Sequence, residues 1–279
     1  MIGEMVVVTA LGVLLATVWD PASAARFEPL FRHHWEAVGT AAAARDYGAF
    51  LSRTGDRELA VTVLRKALEL EESPETLQAL AAVVPPREAL PLYDRALVLH
   101  PSGDLYRKTG ELLAARGDTQ SAEKRYRAAL AAYEEELGAA DPRVAVVLND
   151  IGMLLENRED FQGAEALYRR ALSIQTKAFG ATHPEVGTTL NNLGGAVGAS
   201  GKLDAAEPLL RQGLRVLEQT LGPRHSRVAT CAANLADLLA ASDRPKEARA
   251  LYAHAISIYD ALGDEDSARQ VREALGKLQ

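Results

Sequence analysis

Residues 164–171 have the sequence Ala-Glu-Ala-Leu-Tyr-Arg-Arg-Ala, which places an aromatic residue between two alanines. Residues three, four and seven positions apart lie on one face of an α-helix, so Ala164, Tyr168 and Ala171 form a single stripe. Small side chains at both ends of the stripe let a second helix approach closely and pack around the ring. The stretch therefore predicts one helix of a tightly packed antiparallel hairpin.

The same stripe recurs at a step of 42 residues. Its small, large and small residues in four successive copies are Ala122-Tyr126-Ala129, Ala164-Tyr168-Ala171, Ala206-Leu210-Gly213 and Ala248-Tyr252-Ala255. The helix before each stripe carries one small residue in a constant register, at Gly110, Gly152, Gly194 and Ala236. Self-similarity at a fixed period indicates an array in which each unit buries one face by stacking on the next. We therefore expect an all-α solenoid of antiparallel helix hairpins.

The pattern continues upstream in a degenerate form, with stripes at Ala60-Leu64-Ala67 and Ala89-Tyr93-Ala96. These two stripes are only 29 residues apart, so the helix between them, from Pro74 to Val84, must be short. The sequence therefore divides into degenerate pairs at 25–101, four 42-residue units at 102–263 and a C-terminal capping helix at 264–279. Six helix pairs are expected, with a lone helix before the first pair.

The alanine and tyrosine spacing resembles the second helix of the tetratricopeptide repeat, A-x-x-x-Y/F-x-x-A, although the usual repeat is shorter, at about 34 residues. The segments HPEVGTTLNNLG (183–194) and AEPLLRQGLRVLEQTLG (206–222) look like the kinesin light chain variety, which also occurs in many bacterial proteins. The resemblance extends from Ser102 to Gly263. It implies a right-handed superhelix whose first helices line a concave groove.

The groove predicted from this resemblance is rich in amides. Two and three positions before the small residue of each first helix stand Lys108 with Arg107, Asp150 with Asn149, Asn192 with Asn191, and Asn234 with Ala233. An amide donates and accepts hydrogen bonds at once, so a ladder of asparagines can hold an extended peptide without reading its sequence. In the tetratricopeptide family the slot of Asp150, Asn192 and Asn234 commonly does this. The predicted peptide-binding residues are Arg107, Lys108, Asn149, Asp150, Asn191, Asn192, Asn234 and, one position after the small residue, Asp237.

Two qualifications apply to this groove. The asparagines have an alternative use, which is to bond a neighbouring helix or loop. The groove is also mixed in sign and lacks the Lys/Asn/Arg clamp with which members of the family hold a C-terminal carboxylate, so the sequence does not favour binding of a chaperone tail.

Composition argues against several other functions. The chain carries 31 Lys and Arg against 38 Asp and Glu, a formal charge of −7 with both signs interspersed, which disfavours non-specific binding to nucleic acid. Cys231 is the single cysteine, so an intramolecular disulfide and a cysteine-rich zinc site are excluded. The six histidines include no pair spaced to place two metal ligands on one helix face. We assign no catalytic residue, metal ligand or cofactor.

Three features of the sequence are open to a chemical interpretation, and each also has a simpler structural one. Residues 194–202 (GGAVGASGK) resemble a phosphate-binding loop, but a Walker A motif requires Gly at Ala196 and Ser or Thr at Leu203, and the repeat register predicts a helix and a turn here. His183 and His225 occupy equivalent positions before a helix, where capping of the helix is expected. Cys231 lies among alanines on a first helix and is expected to be a buried, inert thiol.

The N-terminal segment predicts export. Met5 to Trp19 is uncharged, and Ala22-Ser23-Ala24 resembles a signal-peptidase site, although no Lys or Arg precedes the apolar run. Residues 1–24 are predicted to be a signal peptide that sends the protein to the periplasm or outside the cell. The alternatives are a helix that packs on the first repeat of a cytoplasmic protein, or an uncleaved anchor, which would be the protein's one contact with a membrane.

These observations favour a non-catalytic scaffold that binds a peptide or helical segment of a partner protein in the groove. The alternative is a structural module that associates with further copies of itself through its terminal pairs. An enzyme is not expected.

Overall fold

The computed structural model describes residues 27–278 of the 279-residue chain. Over this range the protein is all-α, with fourteen helices and no strand. The helices are α1 Glu28–Val38, α2 Ala41–Thr54, α3 Arg57–Leu70, α4 Pro74–Val83, α5 Pro86–Leu99, α6 Gly103–Ala115, α7 Thr119–Leu137, α8 Pro142–Glu156, α9 Phe161–Phe179, α10 Pro184–Ala199, α11 Leu203–Leu221, α12 Ser226–Ala241, α13 Pro245–Leu262 and α14 Glu265–Gly276.

This order confirms the predicted plan. A lone helix, α1, comes first, the pairs α2/α3 to α12/α13 follow, and α14 comes last. The short helix predicted between the two upstream stripes is α4, which begins at Pro74 behind the capping residue Ser73. The predicted signal peptide, residues 1–24, lies outside the described residues.

The chain folds as two compact units that divide between Ala122 and Glu123, inside α7. The first unit has its own core, in which the rings of Phe31 and Phe50 stack with centroids 4.6 Å apart. The core of the second unit includes Tyr168, Leu210 and Tyr252, the large residues of three predicted stripes. The predicted boundaries at residues 101 and 263 follow repeat lengths and stay predictions.

Every position of the predicted stripes is buried, in the degenerate pairs as well as in the 42-residue units. Two glycines show the reason for the pattern. A Cβ at Gly152 would lie 2.5 Å from Cε1 of Tyr168, and a Cβ at Gly194 would lie 2.6 Å from Cγ of Leu210. In these two pairs the large residue of the second helix therefore occupies the space where the first helix has no side chain.

Polar residues begin the first helices of the second unit at a constant interval. The side chain of Asp141 accepts a hydrogen bond from the backbone N–H of Arg143, at 2.9 Å. His183 and His225 accept in the same way from the residue two positions later, at 3.3 and 3.1 Å, which confirms that they cap their helices. The glycine-rich segment 194–202 is the end of α10 and a turn, as the repeat register predicts.

A ladder of ion pairs joins successive repeats of the second unit. Three glutamates, each directly after the first small residue of a stripe, bind an arginine one turn later on their own helix and a cation from the turn of the next repeat. The groups are Glu123 with Arg127 and Arg158, Glu165 with Arg169 and Lys202, and Glu207 with Arg211 and Arg244. The hydrogen bonds from these cations lower the pKa of each glutamate.

We predict that Gly152→Ala lowers the free energy of unfolding by about 1–3 kcal/mol, because the new methyl group would overlap the Tyr168 ring. Gly195→Ala is the matched control, since the nearest atom to its Cβ is Oε1 of Glu156, at 3.8 Å. That change should raise stability by up to about 1 kcal/mol through helix propensity. Urea unfolding followed by circular dichroism measures both variants. Equal effects of the two would contradict the packing role of Gly152.

A second prediction concerns the ion-pair ladder. In a double-mutant cycle, Glu207→Gln and Arg244→Gln should show a small favourable coupling at neutral pH, as is typical of partly exposed ion pairs. Because the pKa of Glu207 is lowered in the folded protein, this coupling is present above the ordinary carboxyl pKa and disappears as the pH falls through the lowered value. Urea titrations at a series of falling pH values measure it. A coupling that is unchanged in acid would show that the pair acts through packing and not through charge.

Candidate functional site

An open cleft of about 380 Å³ lies against the first helices α8, α10 and α12 of the second unit. These three helices contact one another in succession. We call this feature the acidic cleft and define it by its lining residues, which are Glu156, Gly194, Gly195, Gly198, Ala199, Leu203, Leu210, Asn234, Asp237, Leu238 and Ala241.

Glycines of α10 form part of the cleft wall. Gly194 is required by packing against Leu210, and a Cβ at Gly198 would lie 2.9 Å from Cδ1 of Leu238. Gly195 differs, because a Cβ there would make only an ordinary contact with Glu156. A glycine inside a helix is less favourable than alanine by about 1 kcal/mol. Close packing therefore does not explain why residue 195 is glycine. The volume that a side chain would occupy at this position is part of the cleft.

Two carboxylates line the cleft, and each is held by a tyrosine of the buried stripes. The hydroxyl of Tyr168 donates to Oε2 of Glu156 at 2.5 Å, and the hydroxyl of Tyr252 donates to Oδ1 of Asp237. Burial raises the pKa of Glu156, while the Tyr168 hydrogen bond partly opposes this shift. Burial and the adjacent carboxylate raise the pKa of both tyrosines, which keeps their hydroxyls protonated as donors.

Three of the predicted asparagines are joined in a chain across α10 and α12. The side chain of Asn234 donates to Oδ1 of Asn191 at 3.0 Å, and Asn191 donates to Oδ1 of Asn192 at 3.2 Å. Asn191 is 7% exposed, whereas Asn192 and Asn234 are partly exposed. Asn191 therefore holds the other two in place, and direct contact of Asn191 with a ligand stays a prediction.

Asn149 is turned toward its neighbours in a similar way. Its Nδ2 donates to Oγ1 of Thr189 at 2.9 Å and to the carbonyl of Ala145, and Thr189 donates to Oε1 of Gln175 at 2.7 Å. These bonds match the alternative use predicted for the asparagines, which is to bond a neighbouring helix. Asp150, next to it, is partly exposed, and its negative charge contributes to the raised pKa of Tyr168.

The remaining predicted residues, Arg107 and Lys108, lie in the first unit. Lys108 lines a separate cleft of about 500 Å³ together with Arg57 and Glu111, and its Nζ lies 5.9 Å from the centroid of the Tyr93 ring. Arg107 forms an ion pair with Glu111 one turn later on α6, at 2.6 Å. The structure thus places the basic and the amide-rich parts of the predicted groove in different units.

Sequence reasoning missed Glu156, although Glu156 stands one turn after the small residue Gly152. Gly195 was placed in the groove by its register, in the same slot as Asp237, but the effect of its missing side chain was not foreseen. The hydroxyls were not anticipated either. The tyrosine side chain is long enough for its hydroxyl to reach a carboxylate of the first helix. The pattern of small and large residues predicts where the ring packs, but it does not predict which group the hydroxyl meets.

Other chemistry finds little support in the described range. Cys231 is buried, as predicted, and burial raises the pKa of its thiol to about 12. Among residues 27–278, no three His, Cys, Asp or Glu side chains are grouped closely enough to hold a metal ion. None of the helices in this part of the chain is both long enough and apolar enough to cross a membrane.

The fold is similar to that of several solved structures. The structure of BtubC (BKLC) from P. vanneervenii is 19% identical, with a TM-score of 0.52, and the match covers 87% of this chain and 91% of that chain. The APC/C hetero-tetramer Cut9–Hcn1 is 17% identical, with a TM-score of 0.63, over 95% of this chain and 51% of that chain. MamA is 20% identical, with a TM-score of 0.53, over 64% of this chain and 92% of that chain. At these identities the likeness shows the fold alone.

Sequence comparison identifies the repeats themselves. No curated protein matches the chain. The family profile described as tetratricopeptide repeat matches residues 101–177, 143–219 and 199–261, and a second profile of the same description matches residues 46–74. These matches cover more than half of the sequence, and the chain therefore belongs to the tetratricopeptide repeat family.

Proposed function

We propose that the second unit is a non-catalytic scaffold that binds an extended peptide segment of a partner protein along its first helices. Tetratricopeptide repeats generally serve as protein-interaction scaffolds. The observation that carries the proposal for this chain is the hydrogen-bonded asparagine chain beside the acidic cleft.

The asparagine chain presents one donor and one acceptor. Asn192 receives a hydrogen bond through Oδ1, and its Nδ2 donates to none of the described residues. Asn234 donates through Nδ2, and its Oδ1 accepts from none of the described residues. A peptide backbone offers one carbonyl and one N–H per residue, so it can pair with both amides without a requirement for particular side chains.

The buried Asn191 makes this arrangement efficient. Its amide is bonded on both sides, so the side chains of Asn192 and Asn234 are already held in one orientation before a ligand arrives. Less side-chain entropy is then lost on binding, and more of the interaction energy appears as affinity. The mechanism is capture of the peptide backbone by preoriented amides.

The alternative, self-association, has an observation of its own in the first unit. Val98 and Leu99 at the end of α5 are 84% and 50% exposed, and these neighbouring apolar side chains offer a surface to a second copy of the chain. Light scattering of the full chain at several concentrations tests this alternative. Export of the protein, through residues 1–24, stays a proposal and would place the partner outside the cytoplasm.

The experiment that tests peptide binding is selection of a displayed random-peptide library on the full chain, followed by fluorescence anisotropy with the selected peptides. Asn192→Ala with Asn234→Ala should weaken binding by about fivefold to a hundredfold, because two hydrogen bonds of about 0.5–1.5 kcal/mol each are lost. Gln212→Ala with Gln219→Ala is the matched control, since both amides are exposed on the second helix α11. Circular dichroism verifies that both double variants are folded.

Equal affinities of the two double variants would refute binding by the asparagines. Failure to select any peptide, together with growth of the scattering mass with concentration, would favour the self-associating module.

A further inference from the structure

We infer that the acidic cleft recognises a positively charged side chain, lysine or arginine, of the bound segment. The inference rests on the proposed peptide binding and adds to it the chemical class that the second unit selects. It is carried by the charge of the cleft, by the absence of a cationic partner for its carboxylates among the described residues, and by the shape of the cleft.

The charge of the cleft is of one sign. Its lining includes the carboxylates of Glu156 and Asp237 and the amide of Asn234, and none of its lining residues is Lys, Arg or His. The cleft of the first unit is different, because Arg57 and Lys108 line it together with Glu111. A cationic group is therefore complementary to the acidic cleft, and less so to the cleft of the first unit, whose lining includes two cations.

Both carboxylates lack a cation in the described part of the chain. Each accepts a hydrogen bond from a tyrosine, and neither forms an ion pair with any residue between 27 and 278. Other acidic residues of the same unit are neutralised, including Glu185 by Arg227 at 2.7 Å and Glu207 by two arginines. A half-buried carboxylate without a counter-ion, such as Glu156, is an unfavourable arrangement that an incoming cation would relieve.

The shape of the cleft suits a long side chain with a charged end. Gly195 and Gly198 leave the backbone of α10 open on one side, while Ala199, Leu203 and Ala241, which are exposed or partly exposed, add apolar surface. The methylene stem of a lysine or arginine packs on such surface while its charged end stays with polar groups. A Cβ at Gly195 would meet no atom closer than 3.8 Å, so the space beside this residue is open to the proposed side chain.

The first test uses the peptide library. Selection on the wild-type chain should enrich Lys or Arg at one peptide position, and replacing that residue with norleucine should weaken binding by tenfold or more. Glu156→Gln with Asp237→Asn keeps acceptors for both tyrosine hydroxyls and removes the two charges, so selection on this variant should no longer enrich cations. Glu135→Gln with Glu136→Gln is the control for net charge, because both side chains are exposed on α7.

A second measurement does not depend on peptide binding. The full chain is titrated with Nα-acetyl-lysine methylamide or the corresponding arginine compound, and with the neutral norleucine analogue, while the backbone amide signals of Gly195 and Gly198 are followed by NMR. The cationic compounds should shift these signals, and norleucine should not. Gly195→Leu should abolish the shift of Gly198, because its side chain would fill the cleft while both carboxylates remain.

The outcomes separate the two claims. Peptides that bind without a preference for Lys or Arg would overturn the inference and leave the proposed function intact. If no peptide binds but the cationic compounds shift Gly195 and Gly198, the cation site stands and the proposed function fails. Equal shifts with norleucine, or shifts that persist in Glu156→Gln with Asp237→Asn, would overturn the inference directly.

Discussion

The close approach of two helices, made by a large residue on one and a missing side chain on the other, is the contact on which the structure depends. Tyr168 against Gly152 and Leu210 against Gly194 are its clearest instances. The constraint is steric and local to each hairpin, so it can be repeated without reference to the rest of the chain. A hairpin of this kind still leaves one face apolar, and stacking on the next hairpin covers that face.

The same contact also places the candidate site. A tyrosine ring that packs against the small residue of the first helix extends past that helix, and its hydroxyl meets a carboxylate of the same helix. Tyr168 with Glu156 and Tyr252 with Asp237 both follow this route. Between them the large residue is Leu210, which has no hydroxyl, and the facing helix has glycines in place of a carboxylate. The two repeats that contribute a carboxylate to the cleft thus flank one that contributes glycines, and the cleft lies at that place.

Much of the fold could be predicted because the packing of a large residue against a small one requires a fixed spacing of these residues in the sequence. The stripes, the short helix α4, the capping histidines and the buried Cys231 all follow from positions along a helix. The use of the asparagines could not be predicted, because spacing assigns Asn191 and Asn192 to a helix face and does not say which partner each amide meets. The division between Ala122 and Glu123 was missed for a related reason, since the repeat register continues through α7 without a break.

Gly195 has a consequence for attempts to strengthen this protein. Replacement of helix glycines by alanine is among the standard means of raising stability. At Gly195 this change should raise the free energy of unfolding, so a folding assay would score it as favourable. It would also begin to close the cleft, which no such assay records. Under the cation recognition that we propose, stability and recognition are in opposition at this position, and a version of the chain selected for stability alone would lose part of the cleft.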